Sequence, residues 1–330
     1  MKKLIAVLLS VSLLFGCFGC SHSENSDKNA LTIVLEWTPN TNHTGIYVAK
    51  SLGYFEEAGL SVEIVQPPQD GSIALVASGK AQFGVSCQDT LAPAFAEGSE
   101  LPVTAVAAII QHNTSGIISR AGEGMHTPKG LEGKRYATWD SPVEKATIRD
   151  VMKADGGDFD LVNLIPSTVT DEVSALSTKS IDAVWVYYGW TGVACGVAGL
   201  ETDYFEFADI DPVFDFYTPV IIGNNEWLKD NEEKAKAFVS ALSKGYEFAV
   251  ENPKKAAEIL MDAVPELKSN STLVYKSQEY LSAEYTADAD RWGVFDSKRW
   301  SDFYNWLNTN NLLENKINPD FGFTNEYLPD

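Results

Sequence analysis

From residue 31 onward the chain alternates short apolar runs with stretches of helical periodicity. Leu31 to Trp37 reads as a strand, Leu-Thr-Ile-Val-Leu-Glu-Trp. A polar loop, Thr38 to Thr44, and a helix, Gly45 to Leu52, follow it. The series continues with strand Ser61 to Val65, helix Ser72 to Ser78, strand Ala81 to Ser86, helix Gln88 to Ala96 and strand Val103 to Ile110. Short apolar runs bounded by Gly, Pro and Asp are strand signals. Strands alternating with helices predict βαβ units and a mostly parallel sheet. Right-handed crossovers then gather the loops after the strand C-terminal ends along one edge.

The pattern restarts at Lys134 with strand Arg135 to Thr138 and helix Pro142 to Lys153, where Ser141 is the N-cap and Pro142 the first helical residue. Strand Leu161 to Ile165, helix Asp171 to Ser177 and strand Ile181 to Tyr187 complete a second α/β unit. After residue 218 the texture turns helical. Ala235, Phe238, Val239, Leu242, Tyr246 and Ala249 form one stripe behind Asn231, Asn252-Pro253 opens another helix, and Trp300, Phe303, Tyr304 and Leu307 repeat the spacing. These stripes are read as core. The expected fold class is α/β, a two-lobed periplasmic-binding-protein fold of type II-like form with the ligand cleft between the lobes and a helical C-terminal region. Residues 31–116 plus 218–330 would form one lobe and 117–217 the other, moving as a hinge.

The first residues set the expected compartment. Lys2 and Lys3 precede an apolar run, Leu4 to Phe15, too short for a comfortable membrane span and suited to a secretory signal core. It ends in Leu14-Phe15-Gly16-Cys17, with Gly19-Cys20 behind. This resembles a bacterial lipoprotein signal, with residues 1–16 removed, Cys17 (alternatively Cys20) lipidated and 17–30 a polar tether. An ordinary cleaved signal peptide is the competing reading. The expected location is the outer face of the cytoplasmic membrane. Beyond the leader only Cys87 and Cys195 remain, and their spacing leaves open whether they pair.

The 330 residues carry 46 acidic and 25 basic side chains, a net charge of −21, and no dense Lys/Arg tract. That excludes a nucleic-acid binder, which needs a clustered basic face. No Gly-rich phosphate loop, HExxH or Cys/His metal spacing, or GxSxG elbow is present, so neither a cofactor nor a metal is expected. The nearby Asp209, Asp211 and Asp215 lack the glycine and terminal glutamate of a calcium loop.

Glu36-Trp37-Thr38-Pro39-Asn40-Thr41-Asn42-His43-Thr44-Gly45-Ile46-Tyr47-Val48-Ala49-Lys50 resembles the opening of the thiamine-pyrimidine family of substrate-binding proteins, within the wider group that includes the yeast-type pyrimidine synthases. Gly53-Tyr54-Phe55, Ala108 to Gly116, Tyr188-Gly189-Trp190, Tyr217-Thr218-Pro219-Val220 and Arg291-Trp292-Gly293-Val294 extend the likeness over nearly the whole chain. The resemblance implies a lipoprotein component of an ABC importer. It would deliver formylaminopyrimidine or hydroxymethylpyrimidine to permease and ATPase subunits for thiamine salvage. Where such sequences commonly place an acidic residue after Tyr-Gly-Trp, this chain has Thr191, so a related heterocycle stays open. Two rival readings remain. One is the same fold binding riboflavin, a sulfonate or another solute. The other is a synthase consuming His43, opposed by the export leader and the lack of a Cys-rich iron-binding run.

A substituted pyrimidine needs flat aromatic walls and groups that both donate and accept. The candidates stand where strands end: Trp37 and Asn40 after the first, Ser86 and Gln88 after the third, Asn113 and Ser115 at the first crossover. Trp139 and Ser141 precede a helix N-terminus. Tyr187, Tyr188 and Trp190 follow the second lobe's buried strand, and Tyr217 lies near the return crossover. Trp37, Trp139, Tyr188 and Trp190 are the stacking candidates, with packing between lobes as the competing role. The segments that carry these candidates contain no Lys or Arg, which favours a neutral solute over an anion.

Overall fold

The computed structural model describes residues 29–166 and 169–330, so Cys17, Cys20 and the leader lie outside the described residues. Among the described residues, ten strands form two five-stranded sheets. They are β1 (Ala30–Val34), β2 (Ser61–Val65), β3 (Phe83–Ser86), β4 (Val103–Ala108), β5 (Ser115–Arg120), β6 (Arg135–Thr138), β7 (Asn163–Pro166), β8 (Ala183–Tyr187), β9 (Thr202–Glu206) and β10 (Val220–Asn224). The first sheet has the order β2-β1-β3-β10-β4 and the second β7-β6-β8-β5-β9.

The sheets are mixed, not mostly parallel. β1 runs parallel to β2 and β3, and β6 parallel to β7 and β8, as the βαβ pattern requires. β10 is antiparallel to β3 and β4, and β5 antiparallel to β8 and β9. Both exceptions come from the chain changing sheets. β5 is the first strand after the passage from sheet one to sheet two, and β10 the first after the return. Each enters its sheet against the direction set by the right-handed units. The sequence pattern does not predict β5, β9 and β10. The expected helix from Gln88 to Ala96 is a four-residue helix, Gln88–Leu91, and a 3₁₀ turn, Ala92–Phe95, because Pro93 has no N–H to give. The expected strand at Leu161 begins later, after a 3₁₀ turn at Phe159–Leu161.

The helical tail packs on the first sheet. In helix Glu232–Glu251 the predicted stripe is buried from Ala235 to Ala249. Phe238 stacks on Phe55 and Phe83 at 5.3 and 4.0 Å between ring centres. Side chains of this size contribute about 1.5–3 kcal/mol each when buried. The helix crosses Thr44–Ser51 at Gly45 and Gly245. A Cβ on Gly245 would stand 2.1 Å from the Gly45 carbonyl oxygen, so only glycine allows that approach. Helix Ser297–Thr309 buries Trp300, Phe303, Tyr304 and Leu307 against the opposite side of the sheet.

The two segments joining the sheets are bonded to each other. The Asn113 backbone N–H donates to Asp215 Oδ1 at 2.9 Å, and its side-chain amide donates to the Phe214 carbonyl at 2.8 Å. His112 Nδ1 meets Asp215 Oδ2 at 2.7 Å, and Nε2 meets Asp288 at 2.9 Å.

Candidate functional site

A cavity of about 490 Å³ opens between the sheets, where the C-terminal ends of β1, β3, β6 and β8 converge with both connecting segments. Each parallel strand ends its ladder there and releases its next residues into a loop. β1 supplies Glu36 and Trp37, and the turn after it Asn40 and Asn42. β3 supplies Cys87, the connecting segments supply Ile110, Thr114, Thr218 and Pro219, and β6 supplies Trp139. Val169, Thr170 and Glu172 enter at the start of helix Glu172–Ser177. Trp185 to Tyr187 close β8, and Gly189, Trp190 and Thr191 lie in the π-turn, Tyr188–Gly192, that follows. Leu281 completes the lining from helix Ser271–Glu284.

Of the sequence candidates, the cavity gathers Trp37, Asn40, Trp139, Tyr187 and Trp190. Trp37 is 66% exposed and Trp139 50%, open apolar faces of a kind a folded chain usually covers. Asn40 is held by its loop: its Oδ1 accepts from the Asn42 N–H at 2.8 Å and its amide donates to the Thr38 carbonyl. The others lie outside the cavity lining. Ser86 lies within β3, opposite Val220 of β10. Gln88 donates to the Trp300 carbonyl and accepts from the Tyr217 N–H, locking β3 to the last long helix. Asn113 ties the connecting segments, and Ser115 begins β5 with a buried hydroxyl that has no partner among the described residues. Ser141 caps its helix, but that end is internally occupied. Glu144 accepts from the Ser141 N–H, the Tyr136 hydroxyl and the Thr138 hydroxyl. Tyr188 turns away to pack on Tyr204 and Tyr280. Tyr217 is buried beside Phe295 and Trp300, and its hydroxyl accepts from the Asp296 N–H.

The cavity's charge is one-sided. Glu36 and Glu172 line it, and no Lys or Arg does among the described residues. Glu36 is engaged by His43 Nε2 at 2.8 Å, while His43 Nδ1 accepts from the Asn40 N–H at 3.1 Å. That fixes the tautomer with the proton on Nε2 and leaves both nitrogens of the buried ring occupied. At the opposite wall Tyr187 shows part of its ring to solvent, while its hydroxyl lies deep beside Thr218 and Cys87. Burial, then the nearby Asp89 charge, pushes both the phenol and the thiol well above their ordinary ranges. Both stay neutral, and Cys87 and Cys195 are free thiols. Burial also raises the Glu172 carboxyl. No group of three His, Cys, Asp or Glu among the described residues is placed to hold a metal ion. The site is therefore a set of aromatic faces with neutral hydroxyl, amide and thiol groups and two carboxylates. It can hold a flat solute that donates hydrogen bonds.

Sequence reasoning missed Glu36, Cys87, Thr114, Glu172, Trp185 and Thr218. Cys87 and Thr114 lie directly between residues that it chose, since successive side chains of an extended chain face opposite ways.

Comparison with known proteins follows the same lines. The chain is 28% identical over 328 residues to the formylaminopyrimidine-binding protein of Halalkalibacterium halodurans, covering 98% of each. It is 27% identical to a 4-amino-5-hydroxymethyl-2-methylpyrimidine phosphate synthase of Saccharomyces cerevisiae, covering 92% of this chain and 88% of that one. Among solved structures it resembles the periplasmic aliphatic sulphonate binding protein of Escherichia coli, with a TM-score of 0.66 at 13% identity, covering 88% and 90% of the two chains. That likeness shows a shared α/β periplasmic-binding-protein fold. With residues 40–256 matched by its model, the chain belongs to the NMT1/THI5 like family.

Proposed function

We propose that this protein captures a thiamine-precursor pyrimidine, formylaminopyrimidine or hydroxymethylpyrimidine, outside the cytoplasmic membrane and hands it to an ABC importer. In this reading residues 31–116 with 218–330 and residues 117–217 act as the two lobes that close on the solute. A lipid at Cys17 or Cys20 tethers them to the membrane. The observation that carries the reading is the cavity wall itself, with exposed indoles at Trp37 and Trp139, Trp190 in the same lining, and no lining cation among the described residues. A neutral ring of about ten heavy atoms can gain roughly 1 kcal/mol per atom in such a site, enough for submicromolar capture. The full-length likeness to a formylaminopyrimidine-binding protein supports the solute class.

The synthase relatives suggest a second reading, catalysis with His43 as the consumed group. His43 is fully buried, bonded at both nitrogens and outside the cavity lining, which favours a role in ordering the loop for binding. Native mass spectrometry of protein purified from cells tests the proposal, together with calorimetric titration of formylaminopyrimidine. A co-purified or titrated pyrimidine at submicromolar affinity is expected. Capture of an alkanesulfonate with no pyrimidine binding would discard it. Incubation with pyridoxal phosphate and iron, followed by mass measurement of the His43 peptide, is expected to leave that residue unmodified.

A further inference from the structure

The π-turn Tyr188–Gly192 borders a second cavity, of about 470 Å³. Its lining shares no residue with the first, although two elements supply both. The π-turn gives Tyr188 to the second cavity and Gly189 to Thr191 to the first. Helix Ser271–Glu284 gives Tyr280 to the second and Leu281 to the first. β9 and the short helix after it add Tyr204, Glu206 and Asp209. Three tyrosine rings thus converge. Tyr188 stands 4.9 Å from Tyr204 and 5.3 Å from Tyr280 between ring centres, tilted by 47° and 51°, so the rings form a curved wall and not a stack. The Thr114 carbonyl fixes two of them, accepting from the Tyr204 hydroxyl at 2.8 Å and from the Tyr188 backbone N–H at 2.9 Å. The Glu206 and Asp209 carboxylates have no hydrogen-bond or ion-pair partner among the described residues, and no Lys or Arg lines the cavity. Burial, then the charges of Asp209, Glu284 and Asp215, pushes Glu206 up to about 7, the state of a carboxyl short of a counter-charge. The His112 imidazole in that neighbourhood is already engaged by Asp215 and Asp288.

We propose that this second cavity binds a small organic cation, an alkylammonium, with its charged head over the Tyr188, Tyr204 and Tyr280 faces and with Glu206 and Asp209 as its counter-charge. The face of a tyrosine ring is the negative side of its quadrupole and attracts an ammonium within about 6 Å of the ring centre, most strongly when the cation has shed its water. A hydrated metal ion gains little from such faces, and no group of three His, Cys, Asp or Glu among the described residues is placed to hold one. An anion is repelled by both carboxylates, and a neutral solute leaves them unpaired. The volume lies within the range of small-molecule sites. This site is independent of the pyrimidine reading, since no residue of the first cavity enters it.

Calorimetric titration of the full chain with choline, against its neutral carbon isostere 3,3-dimethyl-1-butanol, tests it. The conditions are pH 8, where Glu206 is ionised, and about 0.15 M salt, which screens the acidic surface. Saturable one-site binding of choline with a Kd below about 1 mM is expected, at least about tenfold tighter than the isostere. Glu206→Gln, which keeps the shape, is expected to weaken choline about fivefold and to leave the isostere within about twofold. Tyr280→Leu is expected to weaken choline about fivefold or more, and Tyr280→Phe by less than about twofold, because the ring face and not the hydroxyl makes the contact. Trp37→Ala, in the first cavity, is expected to leave choline binding within about twofold. No saturable binding, or equal affinity for choline and the isostere, would overturn the proposal. So would loss of choline binding in Trp37→Ala with none in Glu206→Gln and Tyr280→Leu. Each of these outcomes leaves pyrimidine capture to be decided by its own titration.

Discussion

The exposure of Trp37 makes it the cleanest probe of the aromatic wall. An indole buries roughly 250 Å² when fully covered. With 66% of Trp37 open to solvent, about 165 Å² remains for a ligand to cover, and a ring stacking on one face covers about half of it. At about 25 cal/mol per Å² this amounts to ~2 kcal/mol. Stacking geometry adds about 0.5–1.5 kcal/mol. Trp37→Ala is therefore expected to weaken pyrimidine binding by ~2.5–3.5 kcal/mol, roughly 70- to 400-fold in Kd. The same substitution removes little from the fold, since exposed side chains away from caps and ion pairs change stability by about 0.5 kcal/mol or less. Calorimetric titration gives the affinity, and thermal melting with no ligand gives the stability. Unchanged affinity in a variant with an unchanged melting temperature would refute the reasoning, because it would mean that the solute does not cover this face. A large drop in melting temperature would refute its premise.

Three further outcomes follow from the geometry. Burial, then the charges of Asp209, Glu284 and Asp215, pushes the Glu206 carboxyl up to about 7. The folded state therefore keeps a proton that the unfolded state has lost, and stability falls as pH rises from about 4.5 to 7. Glu206→Gln is expected to raise the melting temperature at pH 8, by about 1–2 kcal/mol of stability once solvent screening is discounted, and to gain nothing at pH 4. The hydrogen bond to Asp215 raises His112 to about 9. Its contribution is fully present below about 6.5 and is lost as pH rises through about 9, so His112→Gln is expected to flatten the melting temperature over that window. A Cβ at Gly189 would lie 2.6 Å from Leu281 Cδ2, so Gly189→Ala is expected to cost about 1–3 kcal/mol, with Leu281→Ala in the same chain recovering part of it in a double-mutant cycle.

The parts of the fold legible in the sequence are those with local periodicity. The βαβ strands β1, β2, β3, β6 and β8 and the stripes at Phe238 and Trp300 announce themselves by spacing alone. β5 and β10 do not, because what defines them is pairing with strands about 70 or more residues away in an opposite direction. For the candidate site, the sequence points to loops that line the cavity and misjudges the facing. Ser86 and Gln88 bracket Cys87, Asn113 and Ser115 bracket Thr114, Tyr188 follows Tyr187, and Tyr217 precedes Thr218. In extended chain a one-residue offset is a half-turn, and which side faces the cavity depends on sheet register, which is set by distant partners. Glu172 escapes for another reason. Its helix start is an ordinary surface motif until the fold brings it to the cavity that the π-turn from Tyr188 to Gly192 also lines.

The bonds that Asp215 makes with His112 and Asn113 bear on how the two sheets are coupled. Two separate connections between rigid bodies resist bending in proportion to their spacing, as paired struts do. Cross-linked at one point by an imidazole and a carboxylate, these two act as a single strut. In the proposed reading of two lobes that close on a solute, the axis of closure passes through residues 112 and 215, with the cavity as the mouth that it opens. With His112 raised to about 9 by its bond to Asp215, that cross-link keeps its imidazolium–carboxylate form through neutral pH.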